Sequence, residues 1–204
     1  MNTVIHSKEK CLTCHQCEMA CAIQHSLSGN LYSAINETVN PQSRIFIESD
    51  LSGSVSIPNK CRHCDPAPCI SSCPSGALKR AEGADVVLSD ENKCIGCRNC
   101  LVNCPFGVII FRKSNKYKSG RYVSIKCDEC IDRTSASSVP ACVEACKTGA
   151  LRYCEIDSHI SARRKMSLTV LNHLYEQNET ISDQFSLFKD LLNRCNSIGG
   201  QQNY

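Results

Sequence analysis

Tryptophan is absent, and aromatic residues make up only 5% of the 204-residue chain. A large aromatic core is therefore not available to hold the fold together. No window approaches the roughly 18 consecutive apolar residues that would span a bilayer. Residues 1–10 are polar, with no apolar h-region, and no twin-arginine pair precedes the first cysteine. The chain accordingly reads as cytoplasmic. There is no G-x-G-x-x-G, no P-loop and no nucleophile–base signature, which argues against a nucleotide-binding or hydrolytic enzyme. A basic patch with interleaved aromatics is also missing, so no nucleic-acid partner is expected.

What the chain has in abundance is cysteine, eighteen in all. The first group is Cys11, Cys14, Cys17 and Cys21, and the second is Cys61, Cys64, Cys69 and Cys73, followed by Pro74. The third is Cys94, Cys97, Cys100 and Cys104, followed by Pro105, with the C-x2-C-x2-C-x3-C spacing of the first. The fourth is Cys127, Cys130, Cys142 and Cys146, with a longer gap before its third cysteine. Disulfides need an oxidising compartment, and bridges between cysteines three apart are strained. Zinc takes two C-x2-C pairs per tetrahedral site and does not explain triplets trailed by a fourth cysteine. Spacings of three instead let successive thiolates reach different irons of one 4Fe–4S cube, with the fourth cysteine turned toward a second cluster. Four complete motifs imply four 4Fe–4S clusters held by sixteen cysteines.

The formal charge of +3 then needs correcting. An oxidised core contributes about +2 against about −4 from its thiolates, so four sites shift the balance by about −8. The lysines and arginines become counter-charge for buried anions.

The motifs sit in internal repeats. Cys73-Pro74-Ser75-Gly76-Ala77-Leu78 recurs as Cys146-Lys147-Thr148-Gly149-Ala150-Leu151, and the Cys94–Cys100 stretch echoes Cys11–Cys17. Motifs two and three form a ferredoxin-like unit over residues 61–112, in which residues 84–89 should pair as a strand with residues 78–80 across a Glu82-Gly83 turn. Motifs one and four look like the same unit in permuted form, over residues 1–60 and 113–156. The fold class expected is α+β, two intertwined ferredoxin-like units of two 4Fe–4S clusters each. The central unit is inserted into one built from both ends, and C-terminal helices follow over residues 157–204.

The run Ile57-Pro58-Asn59-Lys60-Cys61-Arg62-His63-Cys64, with Pro68-Cys69, Cys73-Pro74 and Gly76-Ala77, resembles four-cluster ferredoxin-type subunits of redox complexes. Such subunits accompany molybdopterin oxidoreductases, formate hydrogenlyase, hydrogen-dependent carbon dioxide reductase and carbon monoxide dehydrogenase. The resemblance covers roughly residues 5–155 and implies the ligand sets. One cluster takes Cys11, Cys14, Cys17 and Cys146 (site I), and its partner takes Cys21, Cys127, Cys130 and Cys142 (site II). The central pair takes Cys61, Cys64, Cys69 and Cys104 (site III), then Cys73, Cys94, Cys97 and Cys100 (site IV). It also implies an electron-relay subunit, not itself an enzyme, that serves a catalytic formate dehydrogenase or hydrogenase, alongside other ferredoxin-type subunits. A free polyferredoxin and an assembly subunit acting through its tail are the alternatives. Lys147 stands where the pattern has proline, and Ala22 follows Cys21 where motif three has Pro105. Both change a turn and leave the ligands in place; a lysine beside Cys146 favours the reduced, more negative cluster.

Between motifs one and two, residues 44–48 and 54–57 alternate like the arms of a hairpin turning at Gly53, and residues 24–43 read as a polar loop. Beyond Asp157, Ile160, Leu168, Leu171 and Tyr175 mark a first helix capped by Asp157 or Ser158. After a break at residues 178–180, Ile181, Phe185, Phe188, Leu191 and Leu192 form the apolar stripe of a second helix, suited to docking or oligomerisation. Cys154 reads as a small buried hydrophobe, Cys195 as a free thiol, and Arg163-Arg164-Lys165 as a solvated face. His15 and His63 lie inside motifs that lack no cysteine, so they are expected beside clusters or at the surface rather than as ligands.

Overall fold

A computed structural model describes residues 2–49, 56–114 and 120–177. The chain divides into two units, Met1–Glu155 and Ile156–Tyr204.

The first unit is built from four two-stranded antiparallel ladders joined by short helices. Strand β1 (Asn2–His6) pairs with β8 (Leu151–Glu155), so residues far apart in sequence close one edge of the unit. β2 (Ile45–Ser49) pairs with β3 (Ser56–Lys60), β4 (Leu78–Arg80) with β5 (Val87–Ser89), and β6 (Ile110–Lys113) with β7 (Tyr122–Ile125). Each ladder is short and supplies a few inward aliphatic residues, among them Val4, Ile45, Leu78, Val87, Val123 and Ile125. The cores they form are completed by cysteine. Val4, Ile45 and Leu151 pack with Cys17, Cys21 and Cys142, and Leu78, Val87 and Ile109 pack with Cys100. Sulfur occupies the places that aromatic rings would fill in a chain richer in them.

The helices of this unit are α1 (Gln16–Gln24), α2 (Leu31–Ala34), α3 (Pro68–Ser71), α4 (Asn99–Val102), α5 (Ile131–Ser135) and α6 (Ala141–Glu144). On α1, Cys17 and Cys21 are four residues apart, so both lie on the buried face. α3 starts on Pro68, whose fixed φ suits a first helical position. α6 places Cys142 against α1.

The hairpin arms expected over residues 44–48 and 54–57 lie at Ile45–Ser49 and Ser56–Lys60, one residue on and extended to the second motif; the turn at Gly53 lies outside the described residues. The strand expected over residues 84–89 begins only at Val87, because Ala84 and Asp85 belong to the turn that follows Glu82-Gly83. Residues 24–43 are not loop throughout: Asn30 caps α2 by accepting the Tyr32 amide at 2.9 Å. Cys154 stands opposite Thr3 in the β1–β8 ladder and is half-buried, not enclosed.

In the second unit, α7 runs Ile156–Gln177, with Asp157 in its first turn, and Arg163, Arg164 and Lys165 are exposed. The break at residues 178–180, the second helix and Cys195 lie outside the described residues. Among the described residues no helix is long and apolar enough to cross a membrane.

Candidate metal centres

The sixteen motif cysteines fall into four groups. Cys11, Cys14, Cys17 and Cys146 line one cavity with Leu12, His15, Ile47 and Leu151. Cys61, Cys64, Cys69 and Cys104 line a second with Arg62, His63, Val87 and Phe106. Cys21, Cys127 and Cys130 surround Cys142 closely enough to disfavour its ionisation, and Cys73, Cys94 and Cys97 do the same to Cys100. Cysteines of motif one thus lie beside those of motif four, and cysteines of motif two beside those of motif three.

The backbone explains how short loops wrap a common centre. In the first Cys-x-x-Cys loop of each motif the residue before the second cysteine is left-handed: Thr13 (φ 55°), His63 (φ 50°), Gly96 (φ 77°) and Glu129 (φ 54°). That conformation tightens the loop and turns backbone amides toward sulfur. The Glu129 amide donates to Cys127 Sγ at 3.4 Å, and the His63 amide donates to Cys61 Sγ at 3.5 Å. Amides from other elements reach three more sulfurs at 3.3 Å each: Arg44 to Cys21, Ser124 to Cys94 and Leu151 to Cys146.

Burial and sulfur crowding set the acidity of these thiols. Burial pushes Cys17, Cys100 and Cys130 up to about 11 and Cys127 up to about 12. Cys142 is driven higher still by burial and its three neighbouring cysteines. For Cys73 and Cys146 burial acts in the same sense, but hydrogen bonds outweigh it and hold both thiols below the ordinary value. Those bonds come from Leu78 and Ser75 on Cys73, and from Leu151 and Thr148 on Cys146. Buried thiols of this kind become thiolates only when a metal core offsets their charge. All-sulfur donor sets select soft or iron–sulfur centres. The four groups fit 4Fe–4S clusters in donor type, number and enclosure.

Residues 54–156, half of the chain, match the 4Fe–4S dicluster domain family. The chain belongs to that family. This dicluster-family protein is 37% identical over 171 residues to an iron–sulfur protein of Rhodospirillum rubrum, covering 80% of this chain and 88% of that one. It is 34% identical over 157 residues to the electron transport protein HydN of Escherichia coli K12, covering 72% of this chain and 85% of the relative. It is 30% identical over 187 residues to the thiosulfate reductase electron transfer subunit PhsB of Salmonella typhi, covering 91% and 90%. It is therefore a protein of 4Fe–4S clusters.

Around the thiols of this dicluster-family protein lies a set of charges that sequence reasoning missed. Lys60 is buried and pairs with buried Glu129 at 2.9 Å, and Glu129 also accepts the Thr3 hydroxyl. Arg44 pairs with Asp128 at 2.5 Å, and His25 Nε2 lies 3.5 Å from the same carboxylate. His25 Nε2, an Asp128 oxygen and Cys130 Sγ lie within 4.8 Å of one another. Burial and the Arg44 guanidinium hold His25 down at about 4, so it is a neutral imidazole beside the Cys21 group. Of the two histidines noted in the motifs, His15 is exposed and meets Glu18 at 2.7 Å, whereas His63 is buried. One signal was available: every motif opens Lys-Cys-x-x-Cys, at Lys10, Lys60, Lys93 and Lys126. Lys10 and Lys93 are exposed, while Lys60 and Lys126 are enclosed.

Proposed function

We propose that this chain holds four 4Fe–4S clusters in two intertwined ferredoxin-like units. In this reading it relays single electrons to or from a catalytic oxidoreductase subunit of the formate dehydrogenase or hydrogenase type. The observation that carries this reading is the continuity of cysteine through the apolar cores. Cys17, Cys21, Cys142 and Cys146 share one core, Cys61, Cys127 and Cys104 a second, and Cys69, Cys73, Cys100 and Cys104 a third. The order of sites is therefore I, II, III, IV, each adjoining the next. The two exposed motif cysteines, Cys14 and Cys97, belong to the first and last sites, so the line opens to solvent at both ends.

A bound 4Fe–4S cluster supplies one-electron exchange. The sixteen motif cysteines would hold each cluster with four thiolates, which would leave no open position for substrate. The residues around them bury all four thiols of site II and direct backbone amides at sulfurs in every site, the contacts through which a protein sets potential. The names of the relatives HydN and PhsB, an electron transport protein and an electron transfer subunit, support the same role.

The test is an anaerobic pull-down of the tagged chain from its native host, with mass spectrometry of co-eluting proteins and an iron and sulfide count. A stoichiometric molybdopterin or hydrogenase subunit with four clusters per chain is the expected result. A lone four-cluster monomer that reduces several enzymes would replace the subunit reading with a free polyferredoxin. Fewer than four clusters would overturn the relay as drawn.

A further inference from the structure

His63 occupies the left-handed position in the site III loop and is 4% exposed. Its Nδ1 accepts the Val87 amide at 3.0 Å, which leaves the ring proton on Nε2. That Nε2–H has no hydrogen-bond partner among the described residues. The ring lines the cavity formed by Cys61, Cys64, Cys69 and Cys104. A buried donor left without an acceptor bears its full desolvation penalty, so its retention points to an acceptor the polypeptide does not itself provide.

The same side of site III carries a buried cation. Lys126 is 2% exposed, and its ammonium donates to the Cys127 carbonyl at 2.8 Å and to the Val87 carbonyl. Among the described residues no carboxylate forms an ion pair with it. Lys60, at the equivalent place in motif two, does have one, because the loop residue facing it from motif four is Glu129. Glu129 and His63 hold the same position in their loops. The two inner sites are thus nearly symmetric in backbone and asymmetric in charge: one lysine is neutralised by a carboxylate, the other lies beside a neutral imidazole. A buried ammonium satisfied only by carbonyls calls for an anion nearby, and thiolate-ligated clusters are the anions this fold can hold.

We propose that His63 and Lys126 set the potential of site III, making it the more readily reduced of the two inner sites. His63 donates its Nε2–H to a sulfur of the bound cluster, and Lys126 keeps a fixed positive charge beside it. Both favour the reduced cluster, which carries one more negative charge. This rests on the four-cluster reading above.

The test is an anaerobic redox titration of the full chain followed by electron paramagnetic resonance, with iron and sulfide counted for each variant. The site III signal is identified as the one altered by Cys64→Ser. His63→Leu and Lys126→Met should each lower its midpoint by at least a tenfold change in the reduced-to-oxidised ratio, 59 mV for one electron, with the other three midpoints unmoved. His63→Gln and Lys126→Arg, which keep a donor and a charge, should recover most of the shift. An unmoved site III midpoint in fully loaded His63→Leu overturns the proposal, and so does an equal shift of all four signals. His63→Leu carries the test alone if Lys126→Met fails to take up iron. An unmodified chain with fewer than four clusters and no signal responsive to Cys64→Ser sinks the four-cluster reading itself.

Discussion

Gly96 is the residue whose substitution should most selectively disable one site. It lies between Cys94 and Cys97 with φ +77°, and a Cβ built on it falls 2.8 Å from the Tyr122 carbonyl oxygen at the start of β7. Recovering an ordinary 3.4 Å contact requires loop and strand to part by roughly 0.6 Å. The same strand delivers the Ser124 amide to Cys94 Sγ at 3.3 Å, so the displacement pulls on a ligand directly. Left-handed backbone alone is tolerated in the other loops, where Thr13, His63 and Glu129 adopt it. Gly96→Ala adds overpacking of about 1–3 kcal/mol to a conformational cost of about 1–2 kcal/mol. A total near 3 kcal/mol weakens cluster retention by about two decades, at 1.4 kcal/mol per decade. Gly76→Ala is the control: φ is +62°, but nothing lies within 4 Å of the added Cβ. It bears the conformational cost alone, about one decade. The assay is anaerobic challenge with a graded iron chelator, following cluster absorbance and iron per chain. Gly96→Ala should lose one cluster's worth of iron at a chelator strength that leaves Gly76→Ala loaded. Equal retention in the two variants would refute the reasoning, because the Tyr122 clash is what Gly96→Ala adds and Gly76→Ala lacks.

Cys146→Ser, although in the last motif, should remove the cluster of Cys11, Cys14 and Cys17 and spare that of Cys127 and Cys130. Spectra showing loss at the latter instead would contradict the pairing. Glu129→Gln leaves buried Lys60 without its carboxylate and should destabilise the iron-loaded protein by about 3–5 kcal/mol, read as a lowered anaerobic unfolding midpoint; an unchanged midpoint would show that the pair contributes nothing. Stripping the iron should abolish most secondary structure, since cysteine stands within the three cores described above. Circular dichroism that kept its native form after chelation would show that the short ladders stand without metal.

The chemistry of this protein was legible in its sequence because it is written at short range. Spacings of three and four between cysteines translate directly into loop curvature and helix faces, as Cys17 and Cys21 on α1 illustrate. The β4–β5 ladder was readable for the same reason: its turn residues, Glu82 and Gly83, lie between its arms. The grouping of motif one with motif four followed from the repeats and the family resemblance, not from any local signal. What surrounds the thiols was not legible. Lys60 meets Glu129 across 69 positions, Arg44 meets Asp128 across 84, and the Ser124 amide reaches Cys94 across 30. Such contacts carry no periodicity, and lysine, glutamate and arginine ordinarily signify solvent. Lys60, Lys126, Glu129 and Arg112 are all buried, which only the packing of the ladders reveals. The kind of centre thus lay in spacing along the chain. Which charges and donors flank each centre depended on where distant segments meet, because electrostatic and hydrogen-bonding environment is a property of three-dimensional proximity.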